Sequence, residues 1–143
     1  MPETIQGMAS ALRSFKNLSD AVKPRLVRNA LNAALTPGLK AARNAAPVGS
    51  KPHKSYKGRT LPPGYLSRKG IKKSTRKSRT GNKVFGKIAA TAEGFYGSFK
   101  EYGTKNIDAN PFFFKAIDSV QDEMERRYFE KMNEAIQKEF RKR

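Results

Sequence analysis

A chain of 143 residues is long enough to bury one modest core and short for two full domains. Its 30 Lys and Arg against 12 Asp and Glu leave a formal net charge of +18, which implies an anionic partner: nucleic acid, an acidic protein surface or a membrane face. The absence of cysteine excludes disulfides and thiolate metal sites, and the single histidine, His53, in a Pro/Lys loop, reads as a solvated loop residue with no assigned role.

No apolar run approaches the roughly 18–20 residues that cross a bilayer, and "MPETIQGMAS" lacks the basic-then-apolar layout of a signal peptide. The expected setting is therefore the cytosol in which the chain is made, with no membrane partner. Charge is unevenly spread: no acid lies between Asp20 and Glu93, while that interval holds Lys23, Arg25, Arg28, Lys40, Arg43 and a dense basic run from Lys51 to Lys87.

Residues 1–19 read as an N-terminal extension with a short helix over 4–16. Over 20–46, Val27, Ala30, Leu31, Ala34, Leu35, Ala42 and Ala45 recur at helical spacing; Ser19 or Asp20 can cap this helix, and Pro24 suits its first turn. Pro37 removes a backbone donor and crowds the preceding turn, so a kink or a break is expected near Thr36. Residues 47–64 combine Pro, Gly, Ser and Lys and read as a long loop whose composition permits disorder.

From Tyr65 the period changes. "YLSRKGIKKSTRKS", "KVFGKIAATA" and "GFYGSFKEY" read as strands, separated by turns at Thr80-Gly81-Asn82 and Glu93-Gly94, so that 47–83 form a basic loop and hairpin and 84–104 the following strands. In the third, Phe95, Gly97 and Phe99 share one face, with Tyr96, Ser98, Lys100 and Tyr102 on the other. Glu101 then either sits at the rim of the core beside a cation or marks the strand's end.

After Gly103, suited to a positive φ, and Thr104, able to bond the loop backbone, Asn110 can cap and Pro111 can open a C-terminal helix over 110–142. Its apolar stripe runs Phe113, Ile117, Val120, Met124, Tyr128, Met132, Ile136 and Phe140. Phe112, Phe113 and Phe114 are consecutive, and residues advancing by roughly 100° each cannot all face one core. Phe113 belongs to the stripe; Phe112 or Phe114 is left for a neighbour or for the chain's own loop. The expected fold is a single α+β domain: a small antiparallel sheet of three to four strands packed by a kinked N-terminal helix and a long C-terminal helix.

The words "NAAPVG" at 44–49, "EYGT" at 101–104 and "PFFFKAI" at 111–117, in this order around a basic strand region, resemble the tail-completion or head-tail joining proteins of long-tailed bacteriophages, the gene-product-ten family of Hong Kong-type lambdoid phages. The resemblance covers roughly residues 20–140. Where family members follow the Ala-Pro-Val corner with Thr-Gly and a Leu-containing strand start, this chain has "SKPHKSYKGRTLPPGYLSRKGIKKS". The resemblance implies a virion component of the head-tail junction, made in the host cytoplasm, that assembles as a ring around the DNA channel. It implies a hexamer that meets portal, neck or tail-tube proteins, with Tyr102, Phe112 and Phe114 as subunit contacts.

The basic run supplies Arg68, Lys69, Lys72, Lys73, Arg76, Lys77, Arg79 and Lys83 with no acid among them. These side chains can meet DNA phosphates without reading sequence, dock on an acidic partner, or form a solvated hairpin. A free-standing, non-specific nucleic-acid-binding protein is the alternative, although no helix-turn-helix, zinc finger or aromatic RNA-binding motif is present. No enzyme constellation, cofactor site or phosphate loop is legible; a metal-dependent nuclease on Glu101, Asp108 and Lys105 is the nearest to one.

Overall fold

Prolines bracket the first long helix. Helix α1, Lys23–Ala45, carries Pro24 in its first turn and ends where Ala46, preceding Pro47, turns extended at φ −62° and ψ 136°. The computed structural model describes residues 9–10, 12–48, 50–55, 57–79, 83–94 and 96–142. Residues 9–10 and 12–16 are helical. The expected side-chain cap from Ser19 or Asp20 is not made: the Ser19 carbonyl accepts from Val22 and Lys23 at 3.1 and 3.3 Å, while Asp20 pairs with Lys23 Nζ at 3.2 Å. Nor does Pro37 break the helix, which runs through it. The Asn32 carbonyl, next to the Ala33 carbonyl that Pro37 leaves without its helical donor, accepts from Lys73 Nζ at 2.8 Å and from Thr36 Oγ1 at 3.3 Å.

The fold is α+β, with two separate two-stranded antiparallel sheets where one sheet of three to four strands was expected. Strands β1 (His53–Lys54) and β2 (Thr60–Leu61) pair within the basic loop, which is therefore locally ordered. Ser55, buried, organises its turn: the Ser55 N–H donates to the Arg59 carbonyl at 2.8 Å and its Oγ accepts from the Arg59 N–H at 3.2 Å. His53 packs edge-on against Tyr96, ring centroids 4.5 Å apart, with Nε2 enclosed and lacking a hydrogen-bond partner. A π-helical turn, Leu66–Gly70, then leads into β3 (Ile71–Lys77), which pairs with β4 (Val84–Ala90). The strand expected from Tyr65 thus begins at Ile71, and the turn assigned to Thr80-Gly81-Asn82 lies outside the described residues, as does Phe95.

The third expected strand is helical: α2 covers Gly97–Tyr102 after a 3-10 turn at Ala92–Gly94. Gly97 and Glu101, four apart and both buried, share a face in a helix as they would in a strand, with Gly97 against Leu66; what distinguishes the helix is Phe99 between them, which is exposed. The C-terminal helix is two helices, α3 (Phe112–Ser119) and α4 (Gln121–Arg141), divided at Val120 with φ −117° and ψ 11°. There the Ser119 hydroxyl bonds back to the Ala116 carbonyl at 2.7 Å, competing with the helical ladder.

Helix α1 is the axis on which everything else packs. Toward its start, Leu26 and Ala30 meet Met132 and Ile136 of α4, with Leu18 beside them; toward its end, Ala42 and Ala46 meet Leu66, Ile71 and Phe112. The hinge at Val120 lets one apolar stripe serve both clusters.

Candidate functional site

Two surfaces carry the expected functional residues, a corner built by turns and the β3–β4 ribbon. At the first, Gly103 ends α2 with φ +77° and ψ 165°, a region open in practice only to glycine; a Cβ there would stand 3.0 Å from the Ala109 amide nitrogen. Thr104 and Ile107 exchange backbone hydrogen bonds of 2.8 and 3.3 Å, and Thr104 Oγ1 accepts from the Asn106 N–H at 3.3 Å. Asn110 donates its N–H to the Lys100 carbonyl at 2.6 Å, and its own carbonyl accepts from the Phe112 N–H at 2.7 Å around Pro111 at φ −72° and ψ 68°, an inverse γ-turn.

This reversal brings Glu101 onto the start of α3. Glu101 Oε2 accepts from the Phe113 N–H at 2.8 Å and Oε1 from the Phe114 N–H at 3.2 Å, and the residue is 6% exposed. The cap expected from Asn110 is supplied across the turn by a carboxylate, whose negative charge also suits the helix dipole. The partners of Glu101 here are amides, where the sequence suggested a cation at the core's rim. Both oxygens are committed to holding α3.

The three phenylalanines divide accordingly. Phe112, expected at a subunit contact, is 7% exposed and belongs to the cluster of Ala42, Ala46, Leu66 and Ile71; one turn of helix cannot leave it outside once Glu101 fixes the start of α3. Phe113 packs partly buried against the same cluster. Phe114 is 52% exposed and Tyr102 71%, their ring centroids 6.4 Å apart, and Phe99 is exposed one turn before Tyr102 on α2. Phe99 was expected inside and is the aromatic that the alternating reading misplaced.

The second surface is the β3–β4 ribbon. Register places Ile71, Lys73 and Thr75 with Ala90, Ile88 and Gly86 on one face, and Lys72, Ser74 and Arg76 with Ala89, Lys87 and Phe85 on the other. The first face lies on α1, where a Cβ at Gly86 would come within 2.9 Å of Leu35 Cδ1, so glycine lets the helix approach. Arg28 Nε donates to Thr75 Oγ1 at 3.3 Å, and Arg43 Nε and Nη2 donate to the Ile71 carbonyl at 3.1 and 2.8 Å. Lys73 belongs to this inner face: its Nζ donates to Thr36 Oγ1 at 2.7 Å as well as to the Asn32 carbonyl, and burial, then the nearby Arg127 charge, lower its pKa.

The other expected cations are exposed but not all together. Lys72 and Arg76 stand on the outer face; Lys77, Arg79 and Lys83 lie toward the turn end; Arg68 and Lys69 lie on the π-helical turn, where Arg68 Nη2 donates to the Pro63 carbonyl at 2.7 Å. Beside them Glu93, the first acid after the basic stretch, accepts from Arg59 Nη1 at 3.1 and 3.3 Å and from the Tyr65 hydroxyl at 3.1 Å. Burial, then the Glu93 hydrogen bond and charge, raise the Tyr65 pKa. Sequence reasoning did not single out Lys87 and Phe85, although period-two register with Lys72 and Arg76 would have found both. It also missed Arg43, for which a basic residue in a helix's last turn is no distinguishing signal.

Among the described residues no group of three His, Cys, Asp or Glu is placed to hold a metal ion, and no helix is long and apolar enough to cross a membrane. Comparison with protein-family models, curated proteins and solved structures finds no match to this chain.

Proposed function

We propose that this chain is a structural morphogenesis protein of a long-tailed phage, acting at the head-tail junction without catalysing a reaction. The supporting observation is the corner in which the two motif words act as one unit: Glu101 of "EYGT" caps the helix opened by "PFFF". That bond explains why the words occur together, and it turns Tyr102 and Phe114 outward as an aromatic pair on a rigid mount. Such a pair, poor in flexible side-chain entropy, suits packing between subunits of a ring, a hexamer on the family pattern. The basic ribbon meets an anionic partner, either DNA or an acidic neck, portal or tail-tube surface.

The test is electron microscopy of particles from a phage lacking this gene. DNA-filled heads beside separate tails, with joining restored by added protein, are the expected result; normal tailed virions overturn the reading. A free-standing nucleic-acid-binding protein is the second reading, favoured by the outward cations of the ribbon, and it predicts normal tailed virions in that same experiment.

A further inference from the structure

The outer face of the ribbon combines three cations with one aromatic. Lys72 and Arg76 on β3 stand on the same side as Lys87 and Phe85 on β4, with Arg76 directly opposite Phe85 and Ser74 opposite Lys87. All of these are exposed, Phe85 to 51%. The opposite face is spent on α1, so this one does not contribute to the core. No acid occurs in either strand.

We infer that this face is a binding surface for duplex DNA, which Lys72, Arg76 and Lys87 hold through phosphates while Phe85 makes the apolar contact. The inference deepens the reading above by naming the anionic partner of the ribbon, and rests on it only to that extent. Two arguments choose DNA over an acidic protein surface. Lys72 and Arg76 are four residues apart, about 13 Å along a strand, a distance over which each strand of a duplex carries about four phosphates. A large exposed aromatic amid cations also matches a partner that offers apolar sugar and base surface between its charges.

Duplex is preferred to single strand because single-strand platforms stack successive bases on several aromatics, whereas Phe85 is the ribbon's one aromatic. A two-stranded ribbon also fits the width of the major groove. Contacts of this kind carry no sequence code, so binding depends on salt and little on sequence.

The experiment titrates the full chain against a labelled random duplex of about 20 base pairs, from about 50 to 200 mM salt, by fluorescence anisotropy. Reversing Lys72, Arg76 and Lys87 to Glu is expected to weaken binding by about tenfold or more, and to flatten the log–log salt slope by about 3. Phe85→Ala is expected to weaken it about threefold to tenfold at unchanged slope. A control triple of equal charge change, Lys131→Glu and Lys138→Glu on α4 with Lys142→Glu just past its end, is expected to lose far less.

Equal loss in the two triples overturns the inference, since total charge would then suffice. Tighter binding of a single strand of the same length overturns the choice of duplex. Polyglutamate competing as well per charge as duplex reassigns the face to an acidic protein. Any of these leaves the head-tail reading to stand or fall on the deletion phenotype, which reports on joining and not on DNA affinity.

Discussion

Glu101 and Lys72 are both charged residues beside short turns, yet one is enclosed and the other lies open to solvent. The carboxylate holds two backbone amides and an element in place, so its charge belongs to the fold. The ammonium group stands on a face that the core does not use, and its charge is available to a partner. Within the ribbon the same contrast separates neighbours: Lys73 is turned onto α1, and Lys72 is not. In so basic a chain, the side of the ribbon a cation occupies decides whether its charge is committed to the fold.

The comparison can be broken by substitution. Phe112→Ala is expected to cost about 3–5 kcal/mol in denaturant unfolding, and Phe114→Ala less than about 1, because only the first empties a packed site. Equal costs would erase the distinction between the inner and outer rings of the corner. Glu101→Ala is expected to cost about 2–3 kcal/mol, leaving two helix amides without their acceptor, with duplex affinity unchanged in the folded protein. Gly103→Ala follows at about 2 kcal/mol, from a backbone region that a Cβ opposes; native-state hydrogen exchange should show α3 loosening first.

A pH titration of stability sharpens the contrast further. Burial raises the pKa values of Tyr65, Tyr96 and Tyr128, so what they contribute is present below pH 10.0 and is lost as pH rises beyond it. Lys73, lowered from 10.5, has the opposite sign and adds stability as pH climbs toward that value. The tyrosines outnumber it, so the unfolding midpoint should fall above about pH 10. The smallest effect is expected at the ribbon's outer face: replacing Lys72, Arg76 and Lys87 by Gln should change stability by within about 0.5 kcal/mol. A larger loss would mean that these cations serve the fold as Glu101 does.

Helical spacing in 20–46 and in the C-terminal segment announced α1 and the stripe of α3 and α4, and composition announced a basic middle. The strands β3 and β4 were legible from the change of period read from Tyr65, although β3 itself starts only at Ile71. What alternation misread was the element over 97–102, a helix in which Phe99 falls outside, while Gly97 with Glu101 inside and Tyr102 outside satisfy either period. The division of the last helix at Val120 was likewise invisible, because the apolar stripe continues across it.

The sequence by itself determined which segments are amphipathic, where prolines and glycines allow the chain to start, stop and turn, and where acids are absent, since these follow from local sterics and composition. Only the tertiary structure decided that Glu101 caps α3, that Phe112 is inside and Phe114 outside, and that Lys73 and Lys72 face opposite ways. Each of these depends on which face another element covers, and a buried charge finds its partner in space, in this case twelve residues along the chain, where no local period can record it.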